Sequence, residues 1–152
     1  MRPDDGLETL LHQIVRLSMA ETEADRGSIL VLNECGMVTH KVLARPGQLP
    51  EVARVNVALV LTEGLGGWVI RNRRGDLIRD TNFDDRWVDL PDDLWETGSA
   101  LAVPVIWQDH ILALITLQHQ DKLQFNDSHL SRVELIAQRV AELLETARRQ
   151  AG

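Results

Sequence analysis

Apolar residues at Leu7, Leu10, Leu11, Ile14, Val15 and Leu17 recur at steps of three and four, which predicts an amphipathic helix over about residues 7–24. Asp4 or Asp5 is placed to cap it, with residues 1–6 expected as a flexible tail. The pattern then changes. Ser28-Ile29-Leu30-Val31-Leu32 is a short apolar run, Asn33-Glu34-Cys35-Gly36 has the composition of a turn, and 37–44 is rich in β-branched residues. Together they read as a β-hairpin.

Two prolines and a glycine in Arg45-Pro46-Gly47-Gln48-Leu49-Pro50 break regular structure, and 51–62 is ambiguous. Val55, Val57 and Leu59 alternate as in a strand, whereas Val52, Ala53 and Arg54 fit a helical turn. Residues 63–75 predict a short helix entered through Gly64, Gly66 and Gly67 and closed by Gly75. Leu77 and Ile78 mark a short strand, and the polar loop 80–93 is expected to hold a helical turn or two. Two strands, 99–107 and 111–119, are joined tightly at Gln108-Asp109-His110, and Pro104 in the first signals a bulge or an edge position. Past Asn126 or Asp127 as cap, Leu130, Val133, Ala137, Val140, Leu144 and Ala147 step by three and four, with Ile136 and Leu143 widening the stripe. This predicts a long helix over about 127–150, more apolar than one flank of a small sheet requires.

A length of 152 residues suits one domain spanning 1–152, and 44% hydrophobic with 26% charged residues is the composition of a globular chain. The formal net charge of -7 repels phosphates, so neither nucleic acid nor anionic membrane is an expected partner. No apolar run approaches the ~20 residues of a membrane span, and Met1-Arg2-Pro3-Asp4-Asp5-Gly6 lacks the basic start and apolar run of a signal peptide. Cys35 is the single cysteine, which leaves no intrachain disulfide and suits a reducing compartment. A cytoplasmic location is expected.

Four motifs in order carry a resemblance over about residues 7–148. Gly64-Leu65-Gly66-Gly67-Trp68-Val69-Ile70, then Leu77-Ile78-Arg79-Asp80 with Asp84-Asp85-Arg86-Trp87, then Ser99-Ala100-Leu101-Ala102-Val103-Pro104-Val105, resemble the central signature of GAF domains. Phe125-Asn126-Asp127-Ser128-His129-Leu130 is similar to that family's entry to its last helix. The resemblance implies an α+β, PAS-related fold with a central antiparallel sheet. The first and last helices would pack on one face, and short helices and loops would roof a small-molecule pocket on the other. It also implies a sensory role in signal transduction, with a homodimer formed through the first and last helices and coupled to an output domain or partner kinase. A plainer alternative is that the first helix of the same chain covers the last helix's stripe. The last helix shows no clear stop before Ala151-Gly152, which leaves room for continuation into a kinase, cyclase or transcriptional domain.

Candidate chemistry is sparse. Asp84, Asp85, Asp89, Asp92, Asp93 and Glu96 crowd one loop, and paired carboxylates can do acid–base work or hold a hard metal, yet a solvated, helix-capping surface explains them better. His12, His40, His110, His119 and His129 lack metal-ligand spacing; His119 with Asp121 is the nearest approach to one, and an ordinary surface role is expected. Cys35 has no adjacent base or second cysteine. Gly64, Gly66 and Gly67 lack the lysine of a phosphate loop, and close helix packing accounts for them. An Arg86 charge and indole walls suit a planar or anionic ligand, so the expected pocket comprises Trp68, Thr81, Asn82, Asp84, Arg86, Trp87, Trp95 and Ser99. Trp68 and Trp107 are expected mainly to fill the core.

Departures from ligand-binding GAF relatives narrow the ligand without naming it. The cyclic-nucleotide motif is broken across Gln120-Asp121-Lys122-Leu123-Gln124-Phe125-Asn126-Asp127, and no Cys-His pair for a bilin is present in the roof region. Relatives that reduce methionine sulfoxide use several cysteines, so a non-enzymatic sensor is expected, no metal or catalytic residue is assigned, and no cofactor is identified. The alternatives are a ligand-free interaction and dimerisation module, or a small metal-dependent enzyme.

Overall fold

A computed structural model describes residues 3–44, 64–88 and 96–151. In chain order these form α1 (Pro3–Thr22), β1 (Arg26–Leu32), β2 (Val38–Ala44), α2 (Leu65–Asn72), β3 (Asp76–Ile78), a 3-10 turn (Thr81–Phe83), β4 (Ser99–Trp107), β5 (His110–His119) and α3 (Asp127–Ala151). The sheet runs β2-β1-β5-β4-β3 with every pairing antiparallel. This is the expected α+β arrangement. The ambiguous segment 51–62 lies outside the described residues.

Period-two alternation gives the sheet two apolar faces. On one, Leu101, Val103 and Val105 of β4 join Ile29 and Val31 of β1 and Ile115 and Leu117 of β5 under α1 and α3. The helices contribute Leu7, Leu11, Ile14 and Val15 from α1 and Val133, Ala137, Ala141 and Leu144 from α3. Side chains one residue out of phase, Leu30, Ala100, Ala102 and Leu114, face the opposite side and pack with Ile78 and with Leu65 and Val69 of α2. α2 thus covers the sheet face away from the two long helices.

Local chemistry corrects several expectations. α1 begins at Pro3, inside the segment expected as a tail, so Asp4 and Asp5 fall in its first turn and do not precede it; proline is preorganised for a helix's first position. α2 does not end on Gly75. Arg73 takes the left-handed cap conformation, with φ 57° and ψ 33°. Gly75 answers a packing demand, because a Cβ there would lie 2.9 Å from Val103 Cγ2 and 3.0 Å from the Ala102 carbonyl oxygen.

Other expectations hold. Gln108 and Asp109 both have positive φ, as a two-residue hairpin turn between right-twisted strands requires. β3 pairs with residues 100–102 only, so at Pro104 β4 is unpaired on that side among the described residues, and a register shift follows between Val105 and Ile106. Asn126 caps α3: its Oδ1 accepts the His129 backbone N–H at 3.0 Å, and His129 Nδ1 accepts the Asn126 N–H at 3.2 Å. That is the reciprocal logic of a capping box with histidine at the third position.

The apolar stripe of α3 points inward. Leu130, Val133, Ala137, Val140, Leu144 and Ala147 all lie in or against the core shared with α1 and the sheet. α1 and the sheet of the same chain therefore cover these six positions, while Leu143 at the edge of the stripe stays exposed. Left exposed on the helical layer are Leu17 of α1 and Leu135 and Leu143 of α3, at 48%, 46% and 59%. Among the described residues no helix is long and apolar enough to cross a membrane.

Candidate functional site

On the α2 side of the sheet, the segment that follows β3 is stitched down before it reaches Arg86. Asp80 Oδ1 accepts the Asn82 N–H at 3.0 Å, which starts the 3-10 turn. The Thr81 N–H donates to the Gly98 carbonyl at 3.0 Å, and its hydroxyl donates to the Thr97 carbonyl at 2.6 Å. Ser99 is fully buried, with its hydroxyl donating to the Asp121 carbonyl at 2.7 Å. Leu123 N–H then donates to the Arg79 carbonyl at 2.7 Å. Three chain segments are joined at this corner.

Arg86 is its centre. Nε donates to Asp84 Oδ1 at 3.0 Å, Nη2 to Asp84 Oδ2 at 2.8 Å and to the Leu77 carbonyl at 3.3 Å, and Nη1 to Asp76 Oδ2 at 2.7 Å. The guanidinium lies 4.8 Å from the Trp68 ring centroid, within cation–π range. Arg74 approaches the same ring at 5.3 Å. Hydrogen bonding to Arg86 holds the Asp84 carboxyl below the usual carboxylate range against the opposing effect of burial. Hydrogen bonding to Asp84 in turn raises the Arg86 guanidinium well above its ordinary value, so both stay charged.

Of the expected pocket residues, the structure brings Trp68, Asp84 and Arg86 into direct contact and packs Trp87 against the apolar cluster beneath α2. Several of them are engaged by partners within the chain. Arg86 is engaged by two carboxylates and a carbonyl of its own chain, so the cation expected to meet an anionic ligand is already matched. Thr81 and Ser99 spend their hydroxyls on backbone carbonyls. Asn82 is exposed, and Trp95, with Asp89, Asp92 and Asp93, lies outside the described residues.

Beside the clamp, a shallow, open cleft of about 280 Å³ is lined by Leu77, Arg79, Asp80, Phe83 and Asp84. Among the described residues it shares only Asp84 with the expected set. Phe83 is 87% exposed, and Arg79 and Asp80 pair with Asp127 and Lys122 at 3.3 and 3.6 Å. Sequence reasoning missed Asp76, Arg74, Arg79, Asp80 and Phe83 as members of this corner. Arg79 and Asp80 stood in a recognised motif, but Asp76 carried no signal beyond being a carboxylate ahead of a short strand.

Elsewhere, His119 Nδ1 accepts the Asp121 N–H at 2.9 Å while Nε2 lies 3.5 Å from Asp25, which fixes the ring in a local polar network. Among the described residues, no group of three or more His, Cys, Asp or Glu is arranged to hold a metal ion. Cys35 is exposed in the β1–β2 turn, and Trp107 packs against the core beneath the long helices.

A family model for the GAF domain matches residues 6–144. No curated protein matches the chain in sequence. Among solved structures, the chain is similar to a type II free methionine-R-sulfoxide reductase from Thermoplasma acidophilum, at 17% identity and TM-score 0.69 over 95% of each chain. It is also similar to the GAF domain of a phosphoenolpyruvate-protein phosphotransferase from Coxiella burnetii, at 19% identity and TM-score 0.71, covering 95% of this chain and 85% of that one. At such identities the likeness establishes the fold alone. With the four ordered motifs, the five-stranded antiparallel sheet between two helical layers and a family match over residues 6–144, this chain belongs to the GAF domain family.

Proposed function

We propose that this chain is a cytoplasmic, non-enzymatic sensory domain that binds a small ligand under the α2 side of its sheet and works as a homodimer through α1 and α3. The GAF family is commonly sensory and regulatory, and the observation that carries the finer reading is the Arg86 clamp. Arg86, on the segment that follows β3, is held by Asp84, Asp76 and the Trp68 ring, and its neighbour Trp87 packs with Trp68 against the apolar cluster of Leu65, Val69, Ile78, Ala100 and Ala102. Loops held by a few strong, exchangeable contacts over an apolar floor are how a domain admits a ligand and registers its arrival.

Support for a non-enzymatic role comes from the same residues. Asp84 is held ionised against Arg86 and is a poor proton donor at neutral pH, and the sequence has one cysteine where sulfoxide-reducing relatives use several. Native mass spectrometry tests the proposal by reporting subunit number and bound small molecules together. A dimer with a defined added mass is the expected result; a bare monomer would remove both parts of the reading. A second reading, a ligand-free pairing module, is favoured by the saturation of Arg86 with internal partners. A dimer of bare chain mass that binds no metabolite by calorimetry selects it.

A further inference from the structure

His119 is the last residue of β5, and its ring is held through both nitrogens. Nδ1 accepts the Asp121 backbone N–H at 2.9 Å, so that nitrogen carries no proton. The ring proton is therefore on Nε2, 3.5 Å from Asp25 Oδ1 in the connection between α1 and β1. The side chain is 14% exposed, which lets it exchange protons with solvent. Bonds from the same few residues reach three other parts of the domain. The His119 carbonyl accepts the Gly98 N–H at 2.8 Å, and the Asp121 carbonyl accepts the Ser99 hydroxyl at 2.7 Å. Gln120 N–H donates to Asp25 Oδ2 at 3.1 Å, and Leu123 N–H to the Arg79 carbonyl at 2.7 Å. The packing has no slack: a Cβ on Gly98 would run into the Gln120 carbonyl oxygen and lie 2.8 Å from the Asp121 carbonyl carbon. A few residues on, the chain enters α3 at Asp127.

Among the described residues, the ion-pairing partners of the ring are Asp25 and Asp121, whose Oδ2 stands 3.9 Å from Nδ1. Cations on adjoining elements are engaged elsewhere: Lys122 with Asp80, Arg79 with Asp127, and Arg132 of α3 with the Glu21 carbonyl. Arg26 of β1 falls on the other face of the sheet, since the next residue, Gly27, presses on Val15 and Met19 of α1. His129 is committed to the cap of α3, and Glu21 and Glu23 at the end of α1 are exposed. We propose that His119 is a pH-sensitive latch on the connection between β5 and α3. Imidazole is the side chain that takes up a proton within the physiological range. A proton from solvent adds to the Nδ1 lone pair, and the hydrogen bond which that lone pair accepted is lost. The Asp121 N–H then faces another N–H. The new donor turns to Asp121 Oδ2, and Nε2–H pairs with Asp25 as a charged donor. The Gln120–Asp121 peptide must rotate to allow this. Because Gly98 and Ser99 are packed on that peptide, the entrance to β4 and the entrance to α3 move together. The latch goes beyond the sensory pocket, since it needs no ligand.

Nitrogen-15 NMR of the full chain, titrated from about pH 8 to pH 5, tests this. At the alkaline end the His119 ring is expected as the Nε2–H tautomer. As the ring titrates, the Asp121 amide proton should move upfield through loss of its acceptor, and the Gly98 amide should follow with the same midpoint. His119→Gln should abolish the transition at both amides while His12, His40, His110 and His129 titrate as before. An Nδ1–H tautomer at pH 8 overturns the proposal, and so does a ring that keeps one charge across the range. Asp121 and Gly98 amides that stay fixed while the ring titrates also overturn it, as does a transition that survives in His119→Gln and so belongs to another group. Circular dichroism checks that the variant is folded. Should it fail to fold, the wild-type titration decides alone: a shared midpoint for the ring, Asp121 and Gly98 supports the latch, and separate midpoints refute it.

Discussion

Arg86 and Asp84, two residues apart, grip each other side by side: Nε meets Oδ1 at 3.0 Å, Nη2 meets Oδ2 at 2.8 Å, and Oδ1 also accepts the Arg86 backbone N–H at 2.9 Å. A guanidinium matches a carboxylate in this two-pronged way and an ammonium does not. Arg86→Lys keeps the charge and loses the fork. Charged hydrogen bonds contribute about 1.5–3 kcal/mol each where water is excluded. With Arg86 about a quarter exposed, at 24%, screening reduces that. The expected loss is about 1–2 kcal/mol, or a Tm lowered by roughly 2–8 °C in a chain of this size. Calorimetric scans showing an unchanged Tm would mean that the clamp contributes nothing.

Acid should loosen the molecule in a defined window. Asp84 and Glu145 both have folded-state pKa values below their ordinary ones, Asp84 through Arg86, and Glu145 because bonds from Arg149 and Arg148 outweigh its burial. Groups of this sign stabilise above the ordinary values of 3.8 and 4.5, and their contribution is lost as pH falls through the lowered folded values. Urea unfolding should therefore show stability dropping steeply below about pH 4. Replacing Glu145 with Gln should flatten part of that drop.

Glu134 has the opposite sign. Its folded pKa is raised by burial and by Asp76, so the folded state resists its ionisation, and stability declines as pH rises from 4.5 through the folded value. Glu134→Gln is expected to stabilise the domain at neutral pH and to change little once the carboxyl is protonated in both states. A destabilised variant at neutral pH would show that the side chain makes a contact more favourable than its burial is costly.

Gly98 and Gly6 should respond oppositely to alanine. A Cβ on Gly98 would run into the Gln120 carbonyl oxygen and lie 2.8 Å from the Lys122 backbone nitrogen, atoms that cannot rotate away. Overpacking of this kind costs about 1–3 kcal/mol. Gly6 lies in α1 with nothing within 4 Å, so alanine there should stabilise by up to about 1 kcal/mol. Equal effects in chemical denaturation would contradict the packing at the Gly98 corner.

If the chain pairs through its helical layer, the contact must use what the core leaves exposed, namely Leu17, Leu135 and Leu143. Replacing Leu135 and Leu143 together by lysine is expected to convert the dimer to monomer with subunit stability altered by no more than about 0.5 kcal/mol, as is usual for surface changes. Sedimentation velocity decides. A double variant that remains dimeric places the interface elsewhere.

The two hairpins, the long helix and its Asn126 cap were legible in the sequence because each is written in nearby residues: a period of two or three to four, a turn dipeptide, a side chain that reaches its own backbone. The motif order identified the family for the same reason. Gly75 was misread because a glycine after a helix signals a cap, while here crowding by Val103 and the Ala102 carbonyl demands the missing side chain. Only the tertiary structure decided that most of α3's stripe is buried against α1 and the sheet, and that Arg86, in the segment after β3, is matched by Asp76 of β3. Periodicity specifies which face of an element is buried but not what buries it. A charge in the sequence likewise does not disclose whether a distant carboxylate will neutralise it once the chain has folded.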